Sequence, residues 1–412
     1  MRKEIILTAL SALLLLSGCK KQSPDDMPPD TPYNHGRYAI METENGFYSN
    51  AGTDIIDDTI CLRFYERDTD KQVYLCARPE CQHNGSENCA ATYKALSCVN
   101  SVLYSGGIYV LALENSSDSV SYNLYKAELD GTAITKVGTA FSVNTSDTEY
   151  EYQRECFIIH KGYAYIPYHI SFGNSSFGSG GNGLVRMNIT DGSTETILSG
   201  EDYFSAYPHN IFGYGDCVYY DMYGINYNSN DGFHAYNITE KTESKTEYFI
   251  AAGDNKLFAD GGYDTEDGEL VPMLMAKDKN GGEWESLIED GYSFQSKVIP
   301  YKDMIIIDDG KGVISVHRDN GEYIGQIGYD AGNFVPSKYY NWKDVLISGD
   351  KIYLAQRVEP EGTDADIMEF NNLYKTYSCP IEDIAAGKGE WKLEYAVKSE
   401  YAINAEQDYT LN

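Results

Sequence analysis

Short runs of apolar and aromatic residues, separated by Gly, Asn and Asp, recur along the chain. In the clearest case Gly107–Ala112 is β-branched and aromatic, Tyr122–Leu129 alternates apolar and polar residues, and Asp130-Gly131 follows. Such runs are typical of strands, and Asp-Gly favours a tight hairpin because its turn needs positive φ. The pattern predicts an antiparallel meander, which must stack on copies of itself to bury both its faces.

Seven segments share this pattern of an apolar strand, a second strand, a tight turn and a return strand. We predict that the inner strand of each unit begins near Gly46, Gly107, Gly162, Asp216, Lys256, Asp303 or Asp350. The outer hairpin turns are predicted near Asp68–Lys71, Asp130-Gly131, Asp191-Gly192, Glu240-Lys241, Asn280-Gly281, Asn320-Gly321 and Ala386–Gly389. The two markers agree, so we predict an all-β fold, a β-propeller of seven four-stranded antiparallel blades. A pair of β-sandwiches or a solenoid is the alternative.

The composition supports this class of fold and limits the partners. The chain has 412 residues, with 37 Tyr, 38 Gly and a net charge of −31. Many tyrosines and turn residues with few helical patterns indicate an all-β protein, and we expect one monomeric propeller domain over residues 37–412. The strong acidity argues against nucleic acid as a partner, because phosphates would be repelled.

The N-terminal sequence predicts an export signal. Met1-Arg2-Lys3 is basic, Ile5–Leu16 is apolar but too short to span a bilayer, and Leu16-Ser17-Gly18-Cys19 matches the bacterial lipobox. The match implies a lipoprotein signal peptide over residues 1–18 and acylation of Cys19. Residues 19–36 then form the lipidated start and a polar, Pro-rich linker. We expect a protein held by its lipid anchor at the outer face of the cell membrane.

A short segment, Tyr74–Ala91, concentrates metal-ligating and disulfide-forming residues. Cys76, Cys81, His83 and Cys89 have the spacing C-x4-C-x-H-x5-C, and Cys98 follows shortly after. Neighbouring cysteines outside the cytoplasm usually form disulfides, so a loop closed by disulfide bonds is one interpretation. Three thiolates and an imidazole could also hold a structural zinc ion, and free thiols are the third alternative. We expect no other cofactor.

The loop and the lipobox together carry a resemblance. A C-x-x-P-x-C-x-H-x(4–6)-C-x-A loop behind a lipobox, followed by Tyr-rich repeats, resembles a group of propeller lipoproteins from anaerobic Gram-positive gut bacteria. The matching positions are Cys76, Pro79, Cys81, His83, Cys89 and Ala91. The repeats of that group are distantly similar to TolB-type and low-density-lipoprotein-receptor-type propellers. The resemblance implies the fold and the location, and it implies no activity.

The sequence favours binding over catalysis. Sialidase-type Asp boxes and a G-x-S-x-G elbow are absent from it. We expect a binding or scaffold module for glycans or peptides, because Tyr rings offer large contact areas and stack on sugar faces. The candidate ligand-binding residues are Tyr165, Tyr168, Tyr219, Tyr220 and Tyr223. The alternatives are a carbohydrate-active hydrolase or lyase that uses carboxylates in the central funnel, and a partner in envelope assembly or transport.

Overall fold

Seven antiparallel sheets are arranged around an axis as the blades of a β-propeller. A computed structural model of the chain describes residues 34–35, 41–56, 59–67, 71–79, 81, 89–94, 97–116, 119–144, 150–152, 157–172, 182–199, 206–224, 233–265, 267–329, 343–358 and 371–400. The predicted fold class and the number of blades are confirmed. Within these ranges, no helix is long and apolar enough to cross a membrane.

The first three blades occupy the N-terminal half of the ring. Blade 1 contains β2 (Met41–Thr43), β3 (Gly46–Ile56), β4 (Thr59–Glu66), β5 (Lys71–Tyr74) and β6 (Thr92–Lys94). Blade 2 contains β7 (Ser97–Tyr104), β8 (Gly107–Asn115), β9 (Ser119–Glu128) and β10 (Ile134–Asn144). Blade 3 contains β11 (Tyr150–Tyr152), β12 (Ile158–His160), β13 (Tyr163–Phe172), β14 (Asn182–Asn188) and β15 (Thr194–Ser199).

The remaining four blades complete the ring. Blade 4 contains β1 (Asn34–His35), β16 (Ala206–Tyr214), β17 (Cys217–Gly224), β18 (Phe233–Asn237) and β19 (Thr242–Thr246). Blade 5 contains β20 (Ala251–Ala252), β21 (Lys256–Asp264), β22 (Leu270–Asp278) and β23 (Glu285–Ile288). Blade 6 contains β24 (Lys297–Tyr301), β25 (Met304–Asp308), β26 (Val313–Arg318) and β27 (Tyr323–Gly328). Blade 7 contains β28 (Lys343–Ser348), β29 (Lys351–Val358), β30 (Asn371–Pro380) and β31 (Lys392–Glu400), with a short helix, α1 (Ile381–Ala385), before β31.

The prediction of which strand lies innermost is wrong. The strands that begin near the seven predicted starts are β3, β8, β13, β17, β21, β25 and β29, each of which is the second strand of its blade. The first strands of neighbouring blades contact one another, as β20 contacts β24 and β24 contacts β28, so the first strand is the inner one. The second strand carries the strongest apolar pattern because it has a strand on each edge and a blade packed on each face.

The predicted outer turns are confirmed where the structure describes them, and their chemistry repeats. Asp130 accepts hydrogen bonds at Oδ1 from the backbone N–H (3.0 Å) and the hydroxyl (2.6 Å) of Thr132. Asp191 does the same with Ser193, at 2.9 Å and 2.6 Å. Gly131 and Gly192, between these partners, have φ of 69° and 71°, a conformation that favours glycine. The Asp-Gly-Thr/Ser sequence therefore closes the hairpin between the third and fourth strands.

The alternation of antiparallel strands gives the ring two faces. Hairpins between strands one and two, and between strands three and four, lie on one side, which we call the turn face. Connections between strands two and three, and from each blade to the next, lie on the other side, the loop face. Every described strand pair is antiparallel, which fixes this assignment around the ring.

Apolar cores lie between adjacent blades. Leu111 and Leu124 of blade 2 pack with Ile159 and Ile166 of blade 3, and all four are fully buried. Each such side chain contributes about 1.5–3 kcal/mol on burial. The ring closes in the same way, because Phe47 of blade 1 packs edge-on against Tyr353 of blade 7 with ring centroids 6.0 Å apart. The sequence also offers the C-terminal segment Glu400–Asn412 as a strand that could close the ring, and beyond Glu400 this segment lies outside the described residues.

One strand departs from the consecutive order. Asn34 and His35 form β1, which pairs with β16, the inner strand of blade 4, opposite Gly213 and Phe212. Because β16 runs towards the turn face and β1 is antiparallel to it, the chain at β1 runs from the turn face towards the loop face.

Candidate metal centre and ligand-binding surface

The cysteine loop interrupts the outermost strand of blade 1. β5 pairs with β4 over Arg63–Glu66, and β6 pairs with the same strand over Thr59–Cys61. Between them, the backbone N–H of Leu75 donates to the carbonyl of Leu62 at 2.9 Å, and the N–H of Leu62 donates to the carbonyl of Ala91 at 2.8 Å. The chain therefore leaves the sheet after Leu75 and returns to it at Ala91, and both residues bond to the same position, Leu62.

The loop packs into the cleft between blades 1 and 2. Leu75, Cys89 and Ala91 are buried against apolar side chains of blade 2, among them Val110 and Ala127. The backbone N–H of Ala77 also donates to the carbonyl of Gly131 at 2.9 Å, so the loop is bonded to the outer turn of the next blade. A methyl group at Gly131 would lie 3.0 Å from the backbone nitrogens of Cys76 and Ala77, and a glycine is needed for this approach.

Three cysteine side chains converge inside the loop. The sulfur atoms of Cys76, Cys81 and Cys89 all lie within 4.8 Å of one another. Tetrahedral zinc with Zn–S bonds of about 2.3 Å separates its sulfur ligands by about 3.8 Å, so small side-chain rotations would bring the three into coordination. None of the three forms a disulfide with another described cysteine. A disulfide could use only two of them, whereas a metal ion would engage all three.

The surroundings of the three sulfurs differ. Burial raises the pKa of the Cys76 thiol, but backbone N–H donors from Arg78 and Ala90, with the neighbouring thiols, outweigh burial and lower the pKa overall. Burial raises the pKa of the Cys89 thiol, and the N–H of Ala91 offsets this only in part. Backbone N–H groups aimed at sulfur support the thiolate form, which is the form that binds metal.

The structure describes the other predicted cysteine and histidine residues only in part or not at all. His83, and Cys19 at the lipobox, lie outside the described residues. Cys98 lies on β7, with its backbone opposite Ala112, and its side chain lies outside the described part. The zinc set predicted from sequence is therefore reduced to three described thiols.

The five tyrosines chosen from sequence lie on β13 and β17. Tyr165 and Tyr220 are fully buried in the core between blades 3 and 4. Tyr168 packs against Phe141 with ring centroids 4.1 Å apart, and Tyr219 stacks on Phe212 at 5.5 Å. Tyr223 is described only by its backbone, opposite Tyr207. The four described rings are engaged in packing between blades.

A different aromatic surface appears at the loop face of blade 5. Among the described residues, seven large hydrophobic side chains are exposed, and four of them belong to blade 5 and its two connections: Tyr248, Tyr263, Leu270 and Phe294. All four lie where strands end on the loop face. No sequence signal distinguishes these residues, because the chain has 37 Tyr and 14 Phe and their loops have no repeat-specific pattern.

One carboxylate lies beside this surface. Asp260 on β21 accepts a hydrogen bond from the hydroxyl of Tyr248 at 3.3 Å and a second from the hydroxyl of Tyr292. Burial raises the pKa of both tyrosines, and the hydrogen bond to Asp260 and its charge raise it further. Both phenols therefore stay neutral donors, and Asp260 retains further lone pairs for a ligand.

Comparisons with known proteins add nothing to the fold that the sheets define. No protein-family model matches the chain, and no curated protein matches it. Among solved structures, BamB from Moraxella catarrhalis is similar at 11% identity, with 80% of this chain and 96% of that chain covered and a TM-score of 0.37. A structure from a structural and mechanistic analysis of two prolyl endopeptidases is similar at 10% identity, with 92% and 51% covered and a TM-score of 0.47. Oligogalacturonate lyase in complex with manganese is similar at 11% identity, with 89% and 78% covered and a TM-score of 0.29. At these values the likeness carries no inference about activity.

Proposed function

We propose that the chain is an exported lipoprotein, anchored at the outer face of the cell membrane, whose propeller binds an extracytoplasmic ligand. The observation that carries the binding role is the group of exposed apolar and aromatic side chains at one rim of the ring, on blade 5. Contiguous exposed apolar patches with a polar rim mark protein-interaction or ligand-binding sites.

The anchor is proposed from the N-terminal sequence. The lipobox makes Cys19 the residue that we propose to be acylated, and residues 20–33 would supply a polar linker to β1. The direction of β1, from the turn face towards the loop face, supports a tether that joins the ring on the turn face. The loop face, with the blade 5 surface, would then be directed away from the membrane.

The anchor is tested by labelling cells with radioactive palmitate and separating membrane from soluble fractions. We expect the natural chain to be labelled and to sediment with membranes, and the Cys19→Ala variant to be unlabelled. A natural chain that carries no acyl group would contradict the anchor.

The binding role is tested with the full chain in detergent, applied to arrays of bacterial, plant and mucin glycans and of peptides. Saturable binding without change in the ligand is the expected result. Cleavage of a bound glycan would replace the binding role with a carbohydrate-active enzyme. Binding to none of them, together with crosslinking to one envelope protein on intact cells, would favour a role in envelope assembly or transport.

A structural metal is proposed for the cysteine loop. Three thiolates within mutual reach, with backbone N–H groups directed at Cys76 and Cys89, suit zinc, and the fourth tetrahedral position remains for a further ligand. Zinc would join the two ends of an insertion that leaves and re-enters the sheet at Leu62. No catalytic step is assigned to it.

Metal content gives the test. We expect the full chain, purified without chelator under reducing conditions, to contain about one zinc per chain by elemental analysis. Cys81→Ser should lose the zinc, whereas Cys217→Ser, which changes a thiol on blade 4, should keep it. A disulfide between Cys76 and Cys89 in peptide maps of the native protein would contradict the proposal.

A further inference from the structure

We infer that the loop face of blade 5 binds a non-acidic glycan, with a preference for sugars that carry free amino groups. The surface consists of Tyr248, Asp260, Gly262, Leu270 and Phe294, and we call it the blade 5 platform. The inference rests on the binding role proposed above and names the ligand class and the residues.

The platform is contiguous. A methyl group built at Gly262 would lie 3.0 Å from Leu270 Cδ1 and 3.5 Å from Phe294 Cζ, so these two side chains meet over the bare backbone of β21. Asp260 lies two residues earlier on the same strand and so points to the same side as Gly262. Tyr248 joins this set through its hydrogen bond to Asp260.

Its members are exposed to a degree that suits a ligand surface. Leu270 is 54% exposed, Phe294 is 49% exposed and Tyr248 is 48% exposed. Tyr248 is nevertheless fixed, because its ring packs edge-on against Phe233 with centroids 5.6 Å apart. Tyr292 is buried and holds Asp260 from the other connection of the blade. A rigid ring beside an oriented carboxylate is a preorganised surface, which lowers the entropy cost of binding.

The chemistry matches a sugar better than a purely apolar partner. The apolar face of a pyranose packs on aromatic rings such as Phe294 and Tyr248. Hydroxyl or ammonium groups at the edge of the sugar donate to carboxylates, and the free lone pairs of Asp260 offer that acceptor beside the rings. Gly262 has no side chain, so Leu270 and Phe294 lie close to the strand and together present an apolar surface to the sugar.

The charge of the rim excludes acidic ligands. Exposed carboxylates surround the platform at Asp264, Asp267, Glu269, Glu289 and Asp290. Neither residues 260–275 nor residues 286–296 contain a Lys or Arg. The basic residues that follow these two ranges are Lys277, whose ammonium is neutralised by Glu247 at 2.7 Å, and Lys297, which begins β24. A uronic or sialic acid would meet like charge here, whereas a glucosamine ammonium would be attracted, an effect that salt weakens.

The experiment measures calorimetric binding of three β-1,4-linked hexasaccharides to the full chain in detergent. The probes are chitohexaose, its deacetylated glucosamine counterpart and a hexauronate. We expect glucosamine to bind at least as tightly as chitohexaose, and the hexauronate to show no binding. The glucosamine affinity should fall as salt rises, and the chitohexaose affinity should not. Binding of the hexauronate as tight as that of the other two would overturn the inference.

Variants locate the site. Phe294→Ala should weaken chitohexaose binding about tenfold, which corresponds to the loss of one aromatic contact. Tyr323→Ala is the matched control, since Tyr323 is an aromatic residue 55% exposed on the outermost strand of blade 6, and it should bind normally. If glycans bind but Phe294→Ala leaves the affinity unchanged, the platform is wrong and the proposed binding role stands. If none of the hexasaccharides binds and a peptide does, the glycan inference is overturned.

Discussion

The cysteine loop and the blade 5 platform are both departures from the repeating blade, and they differ in how they are held. The loop leaves the sheet at Leu62, packs its apolar residues between two blades and bonds to the next blade at Gly131. The platform exposes its apolar residues, and its Tyr248 is held by a hydrogen bond to Asp260 and by edge-on packing against Phe233. A buried insertion contributes to stability, whereas an exposed and preorganised surface is available for a ligand.

The largest expected effect concerns the packing of the loop. Leu75→Ala removes a side chain that is 5% exposed between blades 1 and 2, and should lower the free energy of unfolding by about 2–5 kcal/mol. Val73→Ala, on the same stretch but 40% exposed, should change it by less than about 0.5 kcal/mol. Denaturant unfolding of both variants gives the comparison. Equal effects would show that the loop is not part of the core.

The second effect concerns the metal. A chelator should lower the melting temperature of the natural chain and leave that of Cys81→Ser unchanged, because only the natural chain has zinc to lose. When the free zinc concentration is about a thousand times the dissociation constant, zinc binding raises the free energy of unfolding by about 4 kcal/mol. Thermal unfolding with and without chelator measures it. An equal loss in both proteins would contradict a thiolate site at Cys81.

Two glycines with similar backbone angles, one beneath the cysteine loop and one on blade 5, allow the effect of packing on stability to be compared. Gly131 has φ of 69° beneath the loop, and Gly268 has φ of 79° on the loop face of blade 5. Alanine is strained at both positions, at a cost of about 1 kcal/mol. Only at Gly131 does the added methyl group meet backbone atoms, at 3.0 Å, whereas nothing lies within 4 Å at Gly268. Gly131→Ala should therefore destabilise the protein more than Gly268→Ala in denaturant unfolding.

The smallest effect lies outside both regions and concerns pH. Burial lowers the pKa of His317 below its ordinary value, so the unfolded chain binds its proton more readily than the folded chain does. The stability linked to His317 is full above the unfolded pKa of about 6.5 and is lost as pH falls from there towards the folded pKa. His317→Gln should flatten this part of the stability profile between pH 7.5 and 5.5. A steeper profile in the variant would contradict the assignment.

The sequence was sufficient for the repeating part of the molecule. Alternating apolar residues and Asp-Gly turns report local geometry, so the blades and their outer hairpins could be predicted. The same patterns placed the second strand as the innermost one, because burial on both faces makes it more apolar than the strand at the axis. Position relative to the axis depends on contacts between blades, which are not encoded in a local pattern.

The candidate sites were predictable only where residue type is rare. Cysteine is rare enough that Cys76, Cys81 and Cys89 could be grouped from their spacing, and the structure brings their sulfur atoms together. Tyrosine is common here, so nothing in the sequence separated the buried Tyr165 and Tyr220 from the exposed Tyr248. Burial is set by which side of the strand faces a neighbouring blade, and that required the register of β13 and β17.

Thermal unfolding with and without chitohexaose, on the natural chain, Cys81→Ser and Phe294→Ala, tests the division between a structural loop and a binding platform most directly. We expect Cys81→Ser to have a lower melting temperature than the natural chain. Chitohexaose should raise the melting temperature of both proteins by the same amount. Phe294→Ala should have the same melting temperature as the natural chain without the sugar, and chitohexaose should raise it by a smaller amount. The opposite pattern, with the sugar response lost in Cys81→Ser and kept in Phe294→Ala, would contradict it.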